Sequence, residues 1–163
     1  MAIIKGWQAA VRRLVGRGWA SGVLRRLLPP IDRGILRLTS GRWSLTYLVT
    51  GLPVALVSVE DSARGHLHRV PLVVVPDRGD LILVASNFGS KQHPHWCALL
   101  RSVRVAHVIW RGSPRDYSVE ELEGEDRQRA WSLATDLYQG YGIYANRAGA
   151  RSIPVLRLMP REP

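Results

Sequence analysis

Residues 81–101 read LILVASNFGSKQHPHWCALLR, a short apolar run followed by a polar turn and a second apolar segment. The run 81–85 has the length and composition of a buried strand, and Gly89 supplies turn chemistry after it. Pro94 is typical of the first turn of a helix, because its missing N–H group costs nothing there. The stretch therefore predicts a strand, a turn and a helix that begins near His93-Pro94.

Strand patterns dominate the chain on both sides of this stretch. Apolar, often β-branched segments predict about six mainly antiparallel strands, at 54–59, 70–75, 81–85, 103–110, 116–122 and 152–159. Asp77 and Gly79 predict a hairpin turn that joins the second of these strands to the third. A helix is expected at about 124–139, because acidic residues fill its first turn. The fold class is α+β, most simply a small barrel with helices at its rim.

The net charge of +10 is concentrated near the N terminus. Residues 1–42 contain nine basic residues and one acidic residue, whereas the rest of the chain is close to neutral. Two short amphipathic helical patterns with basic outer faces occupy residues 1–28. We therefore divide the chain into a basic amphipathic helical arm, 1–42, and a barrel domain, 43–163.

The arm has two interpretations that the sequence leaves open. Basic amphipathic helices that carry tryptophan suit an anionic membrane surface. Alternatively, both helices pack on the domain and leave a solvated basic face. Nucleic acid is not expected as a partner, because the basic residues are not interleaved with stacking side chains.

The cellular compartment is indicated by what the sequence lacks. Cys97 is the only cysteine, so an intrachain disulfide is excluded and a reducing compartment is favoured. The longest apolar runs are far shorter than the about 20 residues of a membrane span. We expect a cytoplasmic protein, with peripheral attachment to the inner face of the cell membrane if the arm binds lipid.

Two histidine pairs raise the question of a metal ion. His66 and His68, and likewise His93 and His95, are spaced so that each pair would share one face of a strand. No further ligands at metal-site spacing accompany them, so we predict surface histidines and no metal. Cys97 is expected to be a buried structural thiol rather than a nucleophile.

The opening stretch offers a binding site of another kind. Backbone N–H groups of the turn 86–89, a helix N terminus and Lys91 form a concavity that suits an anion. Trp96 on the first helical turn can cover a flat ring. A planar, phosphate-bearing cofactor fits this set, and the alternative is an ordinary connection with Trp96 in the core.

Five short segments follow one another in a specific order. They are LPPIDR at 28–33, GLPV at 51–54, RVPL at 69–72, ASNFG with HPHW within 85–96, and a tyrosine series that ends in R-x-I-P at 151–154. This order resembles the deazaflavin-dependent nitroreductase family, split β-barrel proteins that reduce quinones and nitroaromatics with reduced coenzyme F-420. The resemblance covers about residues 28–160.

The resemblance implies hydride transfer from the coenzyme to a quinone- or nitroaromatic-type acceptor, with no catalytic residue in the protein itself. FMN is the less favoured cofactor. Cofactor contacts are implied at Val70, Pro71, Leu72, Ser86, Asn87, Gly89, Pro94 and Trp96. Basic or ring donors for the anionic coenzyme tail are expected at Arg64, His68, Arg69 and Lys91. The substrate side is implied to be lined by Tyr138, Tyr141 and Tyr144.

One segment departs from the family pattern. The loop before the second strand usually reads Gly-Arg-Lys-Ser/Thr-Gly, and here residues 61–65 read DSARG. Fewer cations are then available for a phosphate and its carboxylate tail. The alternative is therefore a non-catalytic split-barrel protein that binds a lipid or another hydrophobic or planar ligand. A metal-dependent enzyme is a weaker third alternative, and the sequence allows a monomer or a homodimer.

Overall fold

The structure, a computed structural model, describes residues 50–61 and 65–162. Seven strands are present there: β1 (Val54–Asp61), β2 (His66–Val73), β3 (Val75–Asp77), β4 (Asp80–Val84), β5 (Val105–Trp110), β6 (Ser113–Glu121) and β7 (Val155–Pro160). The α-helices that lie wholly within these residues are α1 (His95–Ser102), α2 (Gly124–Leu137) and α3 (Gly140–Ala148). The predicted arm, 1–42, lies outside the described residues, so its helices and the domain boundary stay predictions.

The strands form one antiparallel sheet in the order β2-β1-β5-β6-β7-β4-β3. Strands β2 and β3 occupy opposite ends of this order, yet a single residue, Val74, joins them along the chain. The sheet must therefore curl until its two ends approach each other. This geometry confirms the predicted α+β split barrel, with seven strands in place of about six.

The predicted hairpin between 70–75 and 81–85 was wrong in its first strand. Residues up to Val73 belong to β2, which pairs with β1 along its whole length. The hairpin is instead formed by the short strand β3 with β4, around Arg78 and Gly79. Both turn residues have positive φ, 51° and 104°, as the tight turns that match strand twist require.

The sheet separates two apolar clusters. Alternation along β4 sends Leu81 and Leu83 to the inner cluster, which α1 closes with Leu100. The residues between them, Ile82 and Val84, face the outer cluster beneath α2 and α3. This two-layer arrangement places the N terminus of α1 at the end of the β1–β2 ladder and places α3 against the turn that follows β4.

The predicted helix at 124–139 is present as α2, which ends at Leu137. A separate helix, α3, follows, which the sequence analysis did not predict. Tyr138 separates α2 from α3, because its backbone is extended at φ −148° and ψ 101°. Among the helices within 50–61 and 65–162, none has the length and apolar composition needed to cross a bilayer.

Candidate functional site

The turn after β4 has an unusual backbone. Asn87 and Phe88 adopt positive φ values of 47° and 56°, and Gly89 follows at 78°. Asparagine tolerates this region because its short side chain bonds nearby backbone, and here the Asn87 Nδ2 donates to the Gln92 carbonyl at 2.9 Å. The N–H groups of Gly89 and Ser90 donate back within the turn at 2.9 and 3.0 Å. The turn is thus a self-bonded unit with a defined shape.

Helix α3 packs directly on this turn at Gly89. A Cβ atom at this position would lie 2.6 Å from the Arg147 Cβ and 2.9 Å from the Tyr144 carbonyl oxygen. The Phe88 ring contacts the Tyr144 ring with centroids 5.7 Å apart. Gly89 is therefore required both by its φ and by the close approach of α3.

Arg151 fixes the turn from the other side. Its Nε donates to the Ser90 carbonyl at 2.8 Å and its Nη2 donates to the Ser86 carbonyl at 2.7 Å. Its Nη1 lies 3.3 Å from the Ala85 carbonyl and 3.1 Å from the His93 Nδ1. One guanidinium thus connects the end of β4, the turn and the approach to α1. Sequence reasoning saw Arg151 only as part of the R-x-I-P motif and assigned it no role.

The start of α1 lies as the sequence predicted. Pro94 is the residue before the first helical position, and Lys91, three residues earlier in the chain, is exposed. Trp96 is half-buried and packs against the inner cluster, so its ring is only partly available to a ligand. Cys97 is fully buried in that cluster, as the sequence predicted, and burial raises the pKa of its thiol.

The other implied cofactor residues lie on β2, which is an edge strand among the described residues. Arg69 is exposed, whereas His68 and residues 70–72 are half-buried. Arg64 lies outside the described residues. The structure thus brings β2 and the start of α1 to one end of the barrel, where the His68 and His95 rings meet edge to face with centroids 5.4 Å apart.

The three tyrosines predicted to line the substrate side form a compact buried group. Tyr138, Tyr141 and Tyr144 are 6%, 5% and 3% exposed, with ring centroids 5.4–6.4 Å apart. The Tyr138 and Tyr144 hydroxyls are hydrogen-bonded at 3.0 Å. Burial raises the pKa of Tyr141 and Tyr144 well above that of an exposed tyrosine. Their contact with substrate stays a prediction.

The two histidine pairs do not act as pairs. The His93 Nδ1 lies 3.1 Å from the Arg151 Nη1, and His66 is exposed at the start of β2. One member of each pair, His68 and His95, instead converges with Asp61 at the end of β1. Sequence spacing could not indicate this grouping, because it depends on the register of β1 with β2.

Comparisons with known proteins give this site a context. The sequence profile of the F420H(2)-dependent quinone reductases matches residues 34–160. Rv3178 of Mycobacterium tuberculosis, whose name assigns it to those reductases, is 26% identical over 110 residues, 68% of this chain and 92% of that protein.

Two solved structures are similar as well. An F420-H2 dependent reductase, FDR-A, has a TM-score of 0.61 and 31% identity over 65% of this chain and 93% of its own. A structure described as a domain-swapped dimer has a TM-score of 0.62 and 29% identity over 77% of this chain and 94% of its own. The chain belongs to the F420H(2)-dependent quinone reductase family and is a coenzyme F-420-dependent oxidoreductase.

Proposed function

We propose that this oxidoreductase reduces a quinone- or nitroaromatic-type acceptor, with the coenzyme seated along the turn 86–89, the start of α1 and β2. The observation that carries the proposal is the turn whose carbonyls Arg151 binds. This turn contains Ser86, Asn87 and Gly89, and the segment that leads from it into α1 contains Pro94 and Trp96. When bound, the coenzyme supplies the hydride, and the chain binds, orients and shields it.

The described donor set suits an anionic cofactor. Lys91 is an exposed cation on the segment before α1, and His66 is an exposed ring donor on β2. Arg69 is also exposed, but strand alternation places it on the other face of β2 from His66. Charge-assisted bonds from such groups to phosphate or carboxylate oxygens are about twice as strong as neutral ones. Residues 70–72 on the edge strand offer backbone to the ring system, and the half-buried Trp96 offers an apolar face.

The tyrosine group suits the acceptor side in a specific way. An exposed tyrosine is already protonated at neutral pH, and the burial that raises the pKa of Tyr141 and Tyr144 keeps their phenols protonated as well. A neutral hydroxyl can donate a hydrogen bond to the oxygen of a quinone or nitro group, where negative charge develops during reduction. It cannot act as a general base. On the family resemblance we propose that Tyr138, Tyr141 and Tyr144 bind and polarise the acceptor, which requires the acceptor to displace part of the packing that buries them.

The proposal is tested by binding and turnover of the full chain. Reduced coenzyme F-420 is titrated into the protein, and its oxidation is followed after addition of menadione or a nitroaromatic compound. Loss of one donor to developing charge typically costs about 10²-fold in kcat, so Tyr144→Phe should slow turnover while leaving coenzyme affinity unchanged.

Tyr117→Phe is the matched control, because Tyr117 is equally buried but lies in the inner cluster on β6. Equal turnover by wild type and Tyr144→Phe would remove the proposed role of the tyrosines. Coenzyme binding without oxidation by any quinone or nitroaromatic acceptor would remove the proposed acceptor class.

We further propose that the basic arm attaches the protein to the inner face of the cell membrane. The support is the charge pattern of residues 1–28, and a lipid-soluble quinone would be met there. Full-length protein should sediment with anionic vesicles and not with neutral ones, whereas a chain that lacks residues 1–28 should stay in solution. Equal sedimentation of both chains would contradict the proposal.

A homodimer is the assembly we propose to test. The support is the similar structure described as a domain-swapped dimer and the exposed Leu67 on the edge strand β2. Light scattering of the full chain should give twice the 18.2 kDa monomer mass. A single species at the monomer mass would contradict it.

A further inference from the structure

Three potential metal ligands meet where β1 ends. A carboxylate oxygen of Asp61 and ring nitrogens of His68 and His95 all lie within 4.8 Å of one another. The Asp61 Oδ2 and the His68 Nε2 are 3.8 Å apart. The three side chains come from β1, β2 and α1, so three separate elements position them.

The fold explains why these side chains meet. Asp61 continues the row Ala55, Val57 and Val59, which faces the inner cluster, and it is therefore buried with only 9% of its side chain exposed. Antiparallel register places His68 opposite Val59, one pleat along the same face from Asp61. Helix α1 covers that cluster, and its first residue, His95, reaches the same end of the ladder.

We propose that Asp61, His68 and His95 bind a divalent transition-metal cation of the Zn²⁺ class. Two imidazole nitrogens and one carboxylate oxygen are the donor types that such ions prefer, whereas Mg²⁺ and Ca²⁺ prefer oxygen ligands alone. Metal–ligand bonds of about 2.1 Å in a tetrahedron place the ligand atoms about 3.4 Å apart. The Asp61–His68 separation is already close to this value.

Closing the three ligands around an ion requires mainly a movement of the His95 side chain. His95 is exposed and can rotate about its side-chain torsions, while Asp61 and half-buried His68 are held by the sheet. Three protein ligands leave the fourth position open, as in zinc sites that bind water or an anionic ligand oxygen. A cation here would also offset the negative charge of the largely buried Asp61 carboxylate.

The experiment uses full-length protein without an affinity tag, stripped of metal by chelation. Zn²⁺ is titrated by calorimetry, and Co²⁺ is titrated in parallel because tetrahedral Co²⁺ has a strong visible absorption. We expect one saturable site per chain and no heat of binding with Mg²⁺. His95→Ala and Asp61→Asn should each weaken Zn²⁺ binding by more than about tenfold.

His107→Ala is the matched control. The His107 Nδ1 lies 2.9 Å from the Asp116 carboxylate. The substitution therefore removes an exposed histidine that is paired with a carboxylate but has no second histidine in the pair. Unchanged Zn²⁺ affinity is expected for this variant. His95→Ala should fold normally because it is an exposed helical position, and its thermal unfolding in the presence of chelator checks this. Absence of saturable binding, or equal affinity of wild type and His95→Ala, would overturn the proposal.

Discussion

Arg151 is the residue whose replacement should most clearly separate the shape of the turn from the rest of the fold. Arg151→Met keeps the apolar stem and removes the guanidinium. Two short bonds, to the Ser86 and Ser90 carbonyls, are then lost, together with the longer contacts to Ala85 and His93. A hydrogen bond from a charged group contributes about 1.5–3 kcal/mol, and rehydration of half-buried carbonyls recovers part of it.

The expected loss of unfolding free energy is therefore about 2–4 kcal/mol. For a chain of this size, that loss corresponds to a melting temperature lower by about 4–16 °C. Thermal unfolding followed by circular dichroism measures it. Coenzyme affinity should fall as well, because the variant releases the turn that we propose to contact the coenzyme.

Arg101→Met is the control for this experiment. Arg101 also makes two side-chain bonds, but both go to the exposed carboxylate of Glu121. Exposed pairs contribute about 0–1 kcal/mol, so the control should melt within about 4 °C of wild type. If Arg151→Met and Arg101→Met melt at the same temperature, the carbonyl network does not stabilise the turn and our reasoning is refuted.

Three further predictions follow from buried groups. Gly89→Ala combines positive φ with overpacking against α3 and should lower the free energy of unfolding by about 2–5 kcal/mol. Gly79→Ala has positive φ but open space around it, so its loss should be about 1–2 kcal/mol. Equal melting temperatures of the two variants would contradict this. Burial raises the folded-state pKa of Tyr141 and Tyr144, so these tyrosines ionise first in the unfolded chain as pH rises above about 10. The free energy of unfolding is therefore unaffected below that pH and falls above it by about 1.4 kcal/mol per pH unit for each tyrosine. Denaturant titrations of Tyr141→Phe should show a shallower alkaline decline, and an unchanged slope would count against the burial argument. Cys97 should react with a thiol reagent only when the protein unfolds, and labelling of the native state at the unfolded rate would show that the thiol is accessible.

The strand, turn and helix of the opening stretch were predictable because each leaves a local signal. The break after Val73 was not, since residues 70–75 are uniformly apolar apart from Pro71 and only the pairing of β2 with β1 ends the strand there. Helix α3 escaped prediction because Gly140 and Gly142 lower its helix propensity. It forms because packing on the turn and the outer cluster overrides that propensity.

The candidate site likewise contains residues that could be recognised from the sequence and residues that could not. Its signature residues are contiguous and could be recognised, whereas the role of Arg151 could not, because its carbonyl acceptors lie 61 to 66 residues away along the chain. The meeting of Asp61 with His68 depends on strand register, and His95 joins them only through the placement of α1. Such groupings are properties of the tertiary structure rather than of any sequence window.

The one-residue connection at Val74 has a consequence for how the protein behaves in a crowded cell. An open sheet that ended in β2 and β3 would present two rows of unpaired backbone groups, and each row is a template on which another chain can add a strand. The connection keeps the two rows close together, and the Val74 N–H donates to the Pro53 carbonyl at 2.9 Å. The curl therefore shelters the ends of β2 and β3 that meet at Val74 and limits strand addition there, whereas the His66 end of β2 stays exposed.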